Sequence, residues 1–223
     1  MTPKNILIIK LSSIGDVVHA LPVSYELKQK WPDCRITWVV EPASRGIVEM
    51  DACVDDIIIF EKQAFRSVGG FLHHFGPLKR AIQSRRYDLV LDLQGLFKSA
   101  AIAYLAKAPK GRKLGPVDMR EGSDHVSRPV RGPHAKGHVI ERYLDVVRSI
   151  GCNVPYAPDG SAVHFPIEVP TEAVAAAAAR FRQAGADMKT PSITIPIGAN
   201  WPTKRGPEEN IAVFANLLYD HEL

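Results

Sequence analysis

An aliphatic run, Ile6-Leu7-Ile8-Ile9, passes through Lys10 and Leu11 straight into Ser12-Ser13-Ile14-Gly15-Asp16, and beyond that turn the pattern becomes helical. A run with no polar alternation suits a strand covered on both faces, the condition of a parallel sheet in an α/β layer architecture. Open sheets of that kind carry their ligand chemistry at the carboxyl ends of the strands. Here that position receives the hydroxyls of Ser12 and Ser13, a glycine at Gly15 and the carboxylate of Asp16. Gly15 permits a backbone angle or a close ligand approach that a Cβ would block, and the N–H groups of the opening helix turn are free of intrahelical partners. Asp16 has two readings: a helix N-cap, contributing roughly 1 kcal/mol, or a carboxylate presented to a substrate.

The rest of the chain repeats the alternation. Strands are expected at Asn5 to Leu11, Arg35 to Val40, Ile57 to Phe60, Leu89 to Leu93 and, briefly, Lys113 to Gly115, with helices between them. This order argues for a doubly wound α/β sheet. Pro22 fits if its helix restarts there with the proline in the first turn. Helices are also expected over Gly69 to Arg85, over Phe97 to Lys107, and from near His138 to a stop at Gly151. From Asp118 to Gly137 the periodicity disappears, which predicts a long functional loop. Asn153 to Pro170 is proline-rich and polar and reads as an interdomain linker, so a first domain is assigned to 1–165 and a second to 166–223. In the second, Thr171 opens a helix through Ala175 to Ala179, Ser192 to Ile197 is a buried strand, and Glu208 to Leu218 is a helix.

The 223 residues carry a formal charge of +4, which favours anionic partners. The basic residues are dispersed and no nucleic-acid motif organises them, so phosphorylated small molecules or lipids fit better than nucleic acid. No apolar run reaches the roughly 18 residues that span a bilayer, and no signal-peptide pattern precedes the first strand, so a soluble cytoplasmic protein is expected. Cys34, Cys53 and Cys152 are odd in number and widely spaced, which indicates neither a disulfide framework nor a zinc site. No D-x-D motif or His/carboxylate cluster appears, so no metal and no other cofactor is expected. The pairs Asp55-Asp56 and His73-His74 are expected to diverge as surface residues. A G-x-G-x-x-G turn and a P-loop lysine are both missing, which weighs against a dehydrogenase or an NTPase.

Four separated motifs carry a family resemblance. They are Lys10-Leu11-Ser12-Ser13-Ile14-Gly15-Asp16-Val17-Val18-His19-Ala20-Leu21-Pro22; Asp88 to Ser99, containing Asp92-Leu93-Gln94-Gly95; Arg120-Glu121-Gly122-Ser123 with His138-Val139-Ile140-Glu141-Arg142; and Trp201-Pro202-Thr203-Lys204-Arg205. Together they resemble the lipopolysaccharide heptosyltransferases, glycosyltransferase family nine, in the branch that adds the first core heptose. The resemblance implies a GT-B fold: an N-terminal, acceptor-binding Rossmann-like domain and a nucleotide-sugar-binding C-terminal one. A full second lobe needs ~100 to 150 residues, so the sequence is expected to stop inside it.

The implied reaction moves heptose from ADP-heptose to the Kdo sugar of the lipid A core precursor, with inversion. A sugar hydroxyl needs a base within reach, and a departing diphosphate needs positive charge and N–H donors. By resemblance Asp16 is the base. Ser12, Ser13, Gly15, Gln94, Lys98 and Arg120 are assigned to the acceptor, with Arg128 and Arg131 as further basic candidates. Lys98 stands at a helix start that already favours an anion, and an arginine at 120 suits bidentate contact with a carboxylate or phosphate. Thr203 and Lys204 are assigned to the donor diphosphate, although Ile197 stands where the family has a glycine and Gly206 where it has an aromatic residue. His19 either orients the site or is structural. His138 and Arg142 share a helix face and are expected to pack against Glu121. The partners implied are a nucleotide-sugar donor, an acidic lipid A/Kdo acceptor and, through that amphiphile, peripheral contact with the inner membrane. A second reading is an acceptor-binding fragment without transfer activity.

Overall fold

The computed structural model describes residues 2–157, 159–186, 198 and 206–220, which divide into compact units over Met1–Pro170 and Thr171–Leu223. In the first unit six parallel strands form one sheet: β1 (Asn5–Ile9), β2 (Arg35–Val40), β3 (Asp56–Ile59), β4 (Leu89–Asp92), β5 (Lys113–Pro116) and β6 (Arg128–Val130). Their order is β3-β2-β1-β4-β5-β6. The chain winds outward from β1 in one direction and then, from β4, in the other. The reversal falls between β1 and β4, paired from Ile6↔Leu89 to Ile9↔Asp92, and a doubly wound sheet opens its ligand crevice at such a switch point.

The helices are α1 (Ile14–Val18), α2 (Leu21–Lys30), α3 (Arg45–Glu49), α4 (Val68–Gln83), α5 (Phe97–Leu105) and α6 (Val139–Arg148). Alternate residues of β1 feed opposite faces, as the strand repeat requires. Ile6 and Ile8 join Trp38, Leu89 and Leu91 under α2 and α6, where Leu21, Leu27, Leu144 and Val147 cover them. Leu7 and Ile9 join Val90 under α4 and α5, against Ile82, Ile102 and Ala103. All four aliphatic residues of β1 are fully buried. At ~25 cal/mol per Å² of apolar surface, these strands make the sheet the main hydrophobic term of the unit.

Pro22 sits in the first turn of α2, where its missing N–H costs nothing, so the helical pattern after Asp16 is two helices rather than one kinked helix. The expected loop over 118–137 contains a short 3-10 turn at Ser123–His125 and the edge strand β6. Asp55 and Asp56 diverge at the surface as expected, each to its own partners. Asp55 accepts the Ile36 N–H at 2.7 Å and pairs with Lys28 at 3.0 Å, while Asp56 takes a two-pronged contact from Arg35 at 2.6 and 2.9 Å. His73 and His74 do not diverge, their rings meeting edge to face at 5.0 Å between centroids.

The stretch read as a linker is part of the first unit. Val154 and Val163 pack on its core, Ala52 donates to the Pro166 carbonyl at 2.9 Å, and Glu168 donates to that of Met50 at 2.8 Å. A few buried apolar residues and main-chain hydrogen bonds dock an otherwise polar segment, and the division falls after Pro170 rather than after 165. The second unit contains α7 (Thr171–Gln183) and α8 (Glu208–Asp220). The strand expected at Ser192 to Ile197 lies outside the described residues, and so do Thr203 and Lys204.

Candidate functional site

At the carboxyl end of β1 the chain enters α1 through a capping box. Ser13 is the N-cap, and Asp16 three residues later reaches back, its Oδ2 accepting the Ser13 hydroxyl at 2.9 Å and the Ser13 N–H at 3.2 Å. Asp16 is therefore not the N-cap itself, and its Oδ1 has no hydrogen bond among the described residues. Partial burial pushes the carboxyl up, but the two Ser13 hydrogen bonds and the charges of Lys10 and His19 outweigh it and hold Asp16 below the usual carboxylate range. The result is an ionised carboxylate, half-buried, at the switch point. Gly15 takes an ordinary helical backbone, and a Cβ there would meet no protein atom. Of the two uses expected for this glycine, only close approach from outside survives.

The turn after β4 is bound to this one. Gln94 Oε1 accepts the N–H groups of Leu11 at 3.0 Å and Ser12 at 3.2 Å, and the Gln94 and Leu93 N–H groups both reach the Ile9 carbonyl. Its amide oxygen is thus committed to the turn that carries Asp16 rather than left for an acceptor. Gly95 has φ +63, and its N–H is received by Asp92 Oδ1 at 2.9 Å. Burial pushes Asp92 up to about 6, against the pull of that N–H and of Lys10.

The loop after β5 closes on the same turn. Arg120 donates its N–H to the Gly95 carbonyl at 2.8 Å and leaves its guanidinium exposed. Glu121 Oε2 accepts the Phe97 N–H at 3.1 Å, so the anion expected at the start of α5 is the protein's own carboxylate. Lys98 beside it lies 3.7 Å from Glu41, and burial followed by the nearby Lys62 lowers its affinity for a proton. Arg128 lies exposed on β6 and Arg131 exposed just after it.

His138 caps α6 by accepting the Ile140 N–H, and its ring stands 5.4 Å from that of His19, edge to face. Arg142 does not pack on Glu121; its guanidinium pairs with Asp118 at 2.6 Å, because Glu121 is already turned to α5. Sequence reasoning overlooked three members of this group: Lys10, Tyr143 and Asp118. The signal available was a lysine following an uninterrupted aliphatic strand, a place where a cation is held only by a specific partner. Among the described residues no three or more His, Cys, Asp or Glu side chains form a candidate metal-ligand group. A concavity of about 300 Å³ between β3 and α4, lined by Ile57, Phe65, His74 and Pro77, shares no residue with the site.

A six-stranded sheet in this order, with an ionised carboxylate in the first crossover turn, defines a Rossmann-type lobe, a fold class that places ligand chemistry at its switch point. Residues 76–223 match the family described as glycosyltransferase family 9 (heptosyltransferase), and the chain belongs to that family. It is 30% identical over 183 residues to lipopolysaccharide heptosyltransferase 1 of Escherichia coli K12, covering 76% of this chain and 55% of that protein. The Salmonella typhimurium protein of the same name is 35% identical over 175 residues, covering 72% and 53%. Among solved structures, E. coli heptosyltransferase WaaC with ADP superposes with a TM-score of 0.71 at 26% identity, over 97% of this chain and 64% of that one. A family 9 glycosyl transferase from Veillonella parvula shares the fold, with a TM-score of 0.76 at 21% identity, over 96% of this chain and 59% of that one. The chain thus spans about half the length of the curated relatives that it matches.

Proposed function

We propose that the chain carries the acceptor side of an inverting heptosyltransferase, which moves heptose from ADP-heptose to the Kdo region of a lipid A core precursor. The observation that carries this reading is Asp16: ionised, with Oδ1 free of hydrogen bonds among the described residues, in the turn after β1 where the strand order reverses. An ionised carboxylate held by its own helix turn is a modest base whose value is position. It takes the proton of the acceptor hydroxyl as that oxygen attacks the anomeric carbon from the face opposite the diphosphate. The exposed guanidinium of Arg120 and the ammonium of Lys98 supply positive charge for an acidic acceptor. The donor diphosphate is assigned to Thr203 and Lys204 without a metal, because the sequence offers no D-x-D pair. The similarity to E. coli heptosyltransferase WaaC, solved with ADP and with ADP-2-deoxy-2-fluoro heptose, supports that donor class.

The test is a transfer assay with ADP-heptose and a Kdo-containing acceptor. Removing a general base costs about 10²- to 10⁴-fold, so Asp16→Ala is expected to lose at least two orders of magnitude. An active chain whose rate is unchanged by Asp16→Ala overturns the assignment.

A second reading, an acceptor-binding module that transfers nothing, is supported by the site lying wholly within the unit over Met1–Pro170. Titration with ADP-heptose separates the two, since the module binds acceptor and leaves donor free. A cytoplasmic site of action at the inner membrane face accompanies both readings. Among the described residues no helix is long and apolar enough to cross a membrane. Peripheral contact is supported by the +4 charge and is read as vesicle binding that rises with anionic lipid content.

A further inference from the structure

Lys10 is the first residue beyond β1, and it is 3% exposed. Its backbone is fixed on both sides, the N–H donating to the Val39 carbonyl at 3.3 Å and its own carbonyl accepting the Trp38 indole N–H at 3.1 Å. The ammonium donates to Tyr143 Oη of α6 at 2.9 Å. A lysine ammonium has three donors, and burial without a carboxylate in contact is costly. Yet Lys10 forms no contact ion pair among the described residues. The carboxylates whose charge it feels are each engaged elsewhere: Asp16 with Ser13, Asp118 with Arg142 at 2.6 Å, and Asp92 with the Gly95 N–H.

We propose that Lys10, anchored on Tyr143 of the helix whose N-cap, His138, meets His19 at the end of α1, is a positioning residue: a buried positive charge set back from the Asp16 turn that leaves Oδ1 open to the acceptor hydroxyl. The inference rests on reading Asp16 as the base. A contact pair would fill the lone pairs that have to take a proton. An ammonium set back by its hydrogen bond to a phenol still acts through a water-poor interior, where its field is screened less than at a surface. The groups facing Asp16 are Ser13 and His19 on its own element, Lys10 at the end of β1, and Tyr143 on α6, with Asp118 and Arg142 paired behind. Of the facing groups, Lys10 is a buried fixed cation. Burial lowers its own proton affinity, and the neighbouring carboxylates, Asp16 foremost, oppose that.

The experiment is a carbon-detected NMR titration of the Asp16 carboxyl in the whole chain and in two variants. Lys10→Met removes the charge and is expected to raise the Asp16 midpoint. Tyr143→Phe removes the anchor, frees the ammonium to close on Asp16, and is expected to lower the midpoint. Opposite displacements in the two variants establish the arrangement. An Asp16 midpoint unchanged in folded Lys10→Met, or in the near-isosteric Tyr143→Phe, overturns it. A purely structural role would move the melting temperature and leave the midpoint alone. Because the titration needs no turnover, it reports on Lys10 whether or not Asp16→Ala abolishes transfer.

Discussion

The carboxamide oxygen of Gln94 receives the backbone N–H of Ser12 at 3.2 Å, so the turn that ends β4 holds in place the turn that carries the candidate base. The same oxygen takes the Leu11 N–H at 3.0 Å. Two strands that are neighbours in the sheet but distant in sequence are thereby locked at their carboxyl ends, where the switch point opens.

Gln94→Ala leaves both of those N–H groups without an acceptor in a half-buried turn. An unmade hydrogen bond of this kind costs about 1–3 kcal/mol. Denaturant unfolding should register that loss, and amide exchange should speed up at Leu11 and Ser12 ahead of the rest of β1. Unchanged exchange at these amides would show that the contact does not hold the turn.

Gly95→Ala tests the neighbouring position. The residue sits at φ +63, and a Cβ would lie 3.3 Å from the Met119 Cα. The left-handed region alone costs a side chain about 1–2 kcal/mol. Destabilisation of that size is expected in thermal unfolding, and shifts in the amide spectrum should spread to Arg120, whose N–H is bound to the Gly95 carbonyl.

How much of this was legible in the sequence follows from the length of each signal. The strands near the switch point show because Ile6 to Ile9 and Leu89 to Leu91 are unbroken apolar runs, buried on both faces. The helix α3 and the strand β6 do not show, because five and three residues are too few to carry a period. Pro129 inside β6 argues against a strand unless it is an edge, and an edge is where the fold puts it. The segment after Cys152 reads as a linker because its docking depends on tertiary contacts at Val154 and Val163.

In the site, Asp16 was legible from its place in the turn, whereas its partnership with Ser13 was open to either direction of capping. The sequence places Gln94 in the turn after β4 but not what its side chain binds: an amide can face a ligand or the backbone, and only the approach of β1 decides. Lys10 was passed over because a strand-end lysine ordinarily snorkels to water, and the phenol that holds it arrives from α6.

Arg148 should be among the most costly side chains to remove. It pairs with Asp145 at 2.9 Å and Glu141 at 2.8 Å, and donates to the carbonyls of Val154 and Pro155 at 3.3 Å each. Asp145 is 2% exposed and, among the described residues, its carboxylate would keep only His134 as a partner. Arg148→Met is expected to cost about 3 kcal/mol, the penalty of a buried charge left short of its counter-charge. Arg148→Lys restores charge but not the forked geometry and should recover only part of the loss in denaturant unfolding.

Asp92 gives the chain a pH-dependent term of known sign. Burial pushes its carboxyl from an ordinary 3.8 up to about 6 in the folded state. The folded protein therefore binds a proton more tightly than the unfolded chain does. That contribution is complete below the unfolded value and is lost as pH rises through about 6, a change of about 3 kcal/mol. Asp92→Asn mimics the protonated form and lacks this loss. Its stability relative to the natural chain should climb between pH 4 and pH 6 and level off above, measured by urea unfolding at each pH. A stability difference that stays flat across that window would show that the Asp92 carboxylate is already ionised in the folded protein near pH 4, satisfied by the Gly95 N–H and the charge of Lys10.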